Sequence, residues 1–89
     1  MPVVFLKATI EKPYEHWVKV FDAHRETQEA AGFNALYRGH EVDDPTSIRI
    51  VMRAPSVEGL QQFMQEQAEN IASSGHVLGS EEIIVCTDM

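Results

Sequence analysis

The first ten residues are dense in apolar, mostly β-branched or aromatic side chains. Val3 to Ile10 predicts a strand. Its alternate residues Val4, Leu6, Ala8 and Ile10 form a uniform apolar row expected to face a core. Val3, Phe5, Lys7 and Thr9 form a mixed row on the other side. Pro13 suits the first position of a helix, where its missing N–H costs nothing. From Tyr14 to Ala31, a turn of about 100° per residue gathers Tyr14, Trp17, Phe21, Gln28 and Ala31 on one arc. Glu15, Lys19, Asp22, Glu26 and Glu29 gather on the opposite arc, and Gly32 supplies the stop.

Phe33 to Val42 and Ser47 to Ala54 predict the second and third strands, with Asp43-Asp44-Pro45-Thr46 as the turn of a hairpin. Both alternating rows of the second strand are mixed, so alternation leaves open whether Tyr37 or Arg38 faces inward. Pro55 ends the third strand, and Ser56 is a good N-cap. Val57, Leu60, Met64, Ala68 and Ile71 then make an apolar stripe for a second helix that ends near Ser73-Ser74-Gly75. Ile83 to Thr87 predicts the fourth strand.

The order β-α-β-β-α-β is the split βαβ plan of an α+β, ferredoxin-like domain over residues 1–89. Right-handed crossovers place both helices on one face of a four-stranded antiparallel sheet. A solvated outer face should alternate more sharply than Val3, Phe5, Val51 and the double apolar rows of strand four do. Either the face carries an ordinary scatter of exposed apolar groups or a partner sheet covers it, and the expectation, drawn partly from the resemblance given below, is the second: a homodimer packed through that open face.

Charge and composition narrow the partners. With 14 acidic and 7 basic residues the net charge is −7. Nucleic acid and anionic membrane surfaces are not expected partners. Cys86 is the single cysteine, so no intramolecular disulfide forms. The N-terminus lacks a basic leader and reads as strand, and no apolar run approaches a membrane span. The expected location is the cytoplasm.

Candidate chemistry centres on the first helix. His24 falls on the apolar arc beside Trp17, with Gln28 between them, and Phe21 completes an aromatic wall. A histidine and an amide on a buried face need partners. Trp17, Phe21, His24 and Gln28 are thus candidate ligand-binding residues, with His24 as acid/base or ligand contact. The alternative is an ordinary core histidine bonded to a backbone carbonyl, among aromatics that are plain core. No metal site is expected: the four histidines form no HxxxH or HxH pair. No cofactor is expected either, because no glycine-rich phosphate loop follows a strand. One cysteine rules out a CxxC metal carrier. Strand three, Ser47-Ile48-Arg49-Ile50-Val51-Met52-Arg53, lacks the aromatic signature of an RNA-recognition motif.

The element order, the size and the mixed outer face together resemble the dimeric α/β-barrel superfamily, which includes antibiotic-biosynthesis monooxygenases and stress-responsive α/β-barrel proteins. The stretch Trp17-Val18-Lys19-Val20-Phe21-Asp22-Ala23-His24, with Tyr37-Arg38-Gly39 and Asp43-Asp44-Pro45, is similar to a family of short uncharacterised bacterial proteins. The resemblance implies two protomers packed sheet to sheet. It fixes no reaction, because the superfamily is functionally mixed. Two readings follow. One is a binder of a small apolar or aromatic molecule, with cofactor-independent oxygenase-type activity as its extension. The other is a non-catalytic dimeric interaction module. The first expects a cavity beside His24, and the second a filled core.

Overall fold

In the sheet, Val4 lies opposite Met52 on one side and Val85 on the other, and Ala8 lies opposite Ile48. This pairing assembles the apolar rows into one face. The computed structural model describes residues 2–77 and 79–87. Its elements are β1 (Pro2–Thr9), α1 (Tyr14–Ala23), α2 (Arg25–Ala30), β2 (Asn34–Glu41), β3 (Asp44–Arg53), α3 (Val57–Glu66), α4 (Ala68–Ser73) and β4 (Glu82–Thr87). The sheet order is β2-β3-β1-β4, with every neighbouring pair antiparallel. This is the ferredoxin-like α+β fold.

The rows of β1 and β3 face as their alternation predicts. Val4, Ala8, Ile10, Ile48 and Met52 are buried in the core with Trp17, Phe33 and Leu60 above them. Phe33 is 2% exposed and packs on Phe63 with ring centroids 4.6 Å apart. Ser56 caps α3, its hydroxyl accepting a hydrogen bond from Gly59 N at 2.9 Å. Ser56→Ala should therefore cost about 1 kcal/mol. Urea melts check this, and an unchanged midpoint would mean that the cap carries no stability.

Two boundaries differ from the sequence expectation. The predicted helices are each divided, at His24 (φ −95°, ψ 6°) and at Gln67 (φ −100°, ψ 15°), both in the sparsely populated bridge region. No Pro or Gly marks either break. At His24 the cause is local competition for one carbonyl. Val20 O accepts both His24 N at 3.2 Å and the ring Nδ1 at 2.8 Å, while His24 N also reaches Phe21 O at 3.2 Å. Nothing in the structure explains the break at Gln67. The second difference is the hairpin. Glu41 pairs with Asp44, so the turn is Val42-Asp43 and β3 starts earlier than expected. Asp44 does carry turn chemistry, but its carboxylate accepts from Thr46 N and Oγ1 inside the strand's first residues.

The question left open in β2 is settled by a bulge. Pairing slips between Ala35 and Tyr37, which sets Arg38 opposite Ile50 on the helix side and Tyr37 opposite Val51 on the open side. Arg38 grips Asp22 of α1 with two hydrogen bonds, of 2.9 and 2.8 Å. This fork–fork pair holds the Asp22 carboxyl below its usual range. Tyr37 lies over Gly39, where a Cβ would collide with the phenol hydroxyl.

Candidate functional site

A cavity of about 120 Å³, partly open to solvent, lies between the helices and the sheet. β1 and β3 supply its floor through Val4, Leu6, Ile50 and Met52. One wall descends α1 and α2 through Trp17, Val20, Phe21, His24 and Gln28. The facing wall is Leu60, Phe63 and Met64 of α3, followed by Gln67, Asn70, Ile71 and Ser74. No Lys, Arg, Asp or Glu lines it. The volume approaches the roughly 150 Å³ of an apolar cavity that accepts benzene, so a single aromatic ring is the right scale.

All four side chains picked out in the sequence meet at this cavity. Trp17 is 2% exposed and stacks on Phe21, with centroids 5.0 Å apart and planes 28° from parallel. Tyr14 continues the stack at 5.7 Å but lies outside the cavity, with its ring against His40. His24 is partly buried, and its Nδ1 donates to Val20 O. That bond fixes the neutral tautomer and leaves the lone pair on Nε2, which makes no hydrogen bond among the described residues. Gln28 is 8% exposed, and its Oε1 has no partner among the described residues. An acceptor buried in this way costs about 1–3 kcal/mol until something donates to it. The wheel survives the break at His24 because Gln28 N still bonds His24 O at 2.9 Å, which preserves the register.

Sequence reasoning missed the polar side of the facing wall. Phe63, Gln67, Asn70 and Ser74 fall on one flank of the predicted apolar stripe, within roughly 60° of each other. That flank was a usable signal. Asn70 Nδ2 donates to Gln67 Oε1 at 2.7 Å, so the two amides orient each other at the rim. His76 was also missed. It sits in the loop before β4, where only its bridge to Ile10 brings it to the cavity. No sequence period reports such a contact. Among the described residues, no group of three His, Cys, Asp or Glu side chains is arranged to hold a metal ion, and no helix is long and apolar enough to cross a membrane.

The open face of the sheet carries a second feature. Tyr37, Val51, Phe5 and Ile84 lie in register across all four strands. Tyr37 is 54%, Phe5 44% and Ile84 65% exposed. The adjacent row is polar, with Lys7 3.8 Å from Glu82 and Arg49 3.3 Å from Glu41.

Comparison with known proteins places the chain in a family. Residues 1–88 match the family described as "Domain of unknown function (DUF3764)". No curated protein matches the sequence. Similar solved structures include a candidate antibiotic biosynthesis monooxygenase from Bordetella bronchiseptica, at TM-score 0.77 and 9% identity, covering 99% of this chain and 96% of the other. A second such candidate, from Nitrosomonas europaea, has TM-score 0.67 and 10% identity, with 100% and 99% coverage. An uncharacterised NIPSNAP domain protein from Burkholderia xenovorans has TM-score 0.66 and 8% identity, with 100% and 95% coverage. At such identities these likenesses speak for the fold.

Proposed function

The chain belongs to the DUF3764 family, and from that premise we propose that it binds a small apolar or aromatic molecule in the cavity between helices and sheet. The observation that carries this reading is the lining itself: an apolar, charge-free cavity of single-ring size, with His24 Nε2 and Gln28 Oε1 unpartnered at its wall among the described residues. Both atoms are acceptors, so they favour a ligand with a hydrogen-bond donor. The activity we attach to the site is cofactor-independent oxygenase-type chemistry, a direction supported by the names of the structurally similar proteins. The acting form is a homodimer closed over the Tyr37–Val51–Phe5–Ile84 row. A cytoplasmic location belongs to the same reading, supported by a single exposed cysteine.

One observation favours the second reading, a non-catalytic module: His24 is bonded to a backbone carbonyl, as a structural histidine would be. His24→Ala separates the two. Val20 O keeps the His24 backbone N–H as partner, so the substitution should cost under about 1 kcal/mol. It should also weaken binding of 4-nitroaniline, whose N–H groups can donate to Nε2, by about 3- to 10-fold, the worth of one hydrogen bond. Trp17 is the only tryptophan, and its fluorescence reports the titration. A loss of 1–3 kcal/mol with unchanged binding would favour the module.

A further inference from the structure

The cavity has a second histidine, and a carboxylate stands behind it. His76 lines the cavity and is 7% exposed. Its Nε2 lies 3.0 Å from Glu81 Oε1, an ion-pair distance outside hydrogen-bond geometry, and has no hydrogen-bond partner among the described residues. The loop that carries it is pinned to the end of β1. Glu11 N donates to Gly75 O at 2.7 Å, Val77 N to Thr9 O at 2.9 Å, and Thr9 N to Ser80 Oγ at 3.0 Å. Gly75 has φ +97°, and a Cβ there would press on the Lys12 side chain, so the turn that presents His76 requires glycine.

These contacts decide where the ring's proton sits. Nε2 is wholly buried, and Glu81 is the acceptor beside it. An ionised carboxylate only accepts, so a hydrogen on Nε2 is favoured over a lone pair facing the carboxylate across that 3.0 Å contact. Glu81 does stay ionised. Burial pushes its carboxyl up, but the backbone N–H groups of Glu81 and Gly79 and the His76 ring outweigh that and hold it below the usual value. The lone pair of neutral His76 is then on Nδ1, which bonds to none of the described residues. The other charged groups near this loop are exposed: Lys12, whose stem meets Gly75, and Glu11. His16 is turned to Ser73 O at 2.9 Å. His24 leans on a neutral carbonyl, whereas His76 lies beside a carboxylate.

We propose that His76, positioned by Glu81, is the proton-accepting group of this cavity, and that its ligands are neutral aromatic molecules with a weakly acidic O–H. The ligand O–H bond breaks and an Nδ1–H bond forms. The imidazolium is paired with Glu81 and the ligand anion remains in the cavity. No oxidant or reductant is consumed. This assignment rests on the cavity being a ligand site, and two probes keep the claims apart. Nitrobenzene, which has no hydroxyl, tests the cavity alone through quenching of Trp17. 4-Nitrophenol tests the proton transfer, because its anion absorbs visible light and the neutral form does not.

Wild-type protein should bind both probes and show bound phenolate at a pH where the free phenol is mostly neutral. Glu81→Gln should bind nitrobenzene as before, while the ionisation of bound 4-nitrophenol falls by about tenfold, one pKa unit. Equal phenolate fractions in the two proteins would overturn the role of His76 and leave the cavity reading standing. Failure of nitrobenzene to bind would overturn both. Imidazole ¹⁵N shifts of the unmodified protein give a check that needs no variant. They should show protonated Nε2 and bare Nδ1 on His76, and the reverse tautomer would contradict the assignment.

Discussion

Phe33→Ala should lower the stability of this domain by about 3–5 kcal/mol in a urea melt. The ring is 2% exposed and packs on Phe63, while Phe33 N donates to Gln28 O at 2.8 Å where α2 hands over to β2. Removing it opens a void between the end of the first helical pair and the start of the second. The site cannot collapse easily, because its floor is sheet and its backbone is tied down by that hydrogen bond. Against a total stability of roughly 5–15 kcal/mol, such a loss is a large fraction. A cost below about 1 kcal/mol would mean that Phe33 is not part of the closely packed core.

Val51→Glu should leave the fold intact and abolish the proposed homodimer. Val51 sits between Tyr37 and Phe5 in the apolar row of the open face. In a two-fold interface the introduced carboxylates face apolar surface, and burying an unpaired charge costs several kcal/mol. In the monomer the same carboxylate is solvated at little cost, so dissociation and unfolding separate. Arg49, two residues away, already holds Glu41 at 3.3 Å. Light scattering should give twice the chain mass for wild type and the single mass for the variant. A monomeric wild type at micromolar concentration would remove the dimer.

The elements with a strong period were legible in the sequence. The rows Val4-Leu6-Ala8-Ile10 and Ile48-Ile50-Met52 faced the helices as their alternation predicted, because one buried face fixes a strand's phase. Trp17, Phe21, His24 and Gln28 share one cavity because a helical wheel depends only on register, and the hydrogen bond from Gln28 N to His24 O keeps that register across the break. What stayed hidden depends on contacts that no local pattern encodes. The break at His24 comes from an imidazole competing for its own helix's carbonyl. The facing of Tyr37 and Arg38 comes from a bulge at Leu36, which shifts pairing by one residue and which two mixed rows did not reveal. His76 and Glu81 meet because a loop is bonded to the end of β1, more than 60 residues earlier in the chain.

The acid end of the stability curve provides a milder check on the Arg38 clasp. Asp22 has a lowered pKa in the folded state, chiefly through its hydrogen bonds with Arg38. Its contribution is present above the ordinary aspartate value of 3.8 and is lost as pH falls through the lower folded value. Arg38→Met should flatten that part of the curve, and equal acid slopes in both proteins would mean that the pair adds nothing.

The central claim is that the cavity takes up a small aromatic molecule. It is tested most directly by mapping methyl NMR shifts during a nitrobenzene titration. Leu60, Met64 and Ile71 line the cavity, whereas Val51 and Ile84 lie on the opposite face of the sheet. Saturable shifts of the first three methyl groups, with Val51 and Ile84 unmoved, are the predicted result. Shifts confined to the open face, or none that saturate, would contradict it.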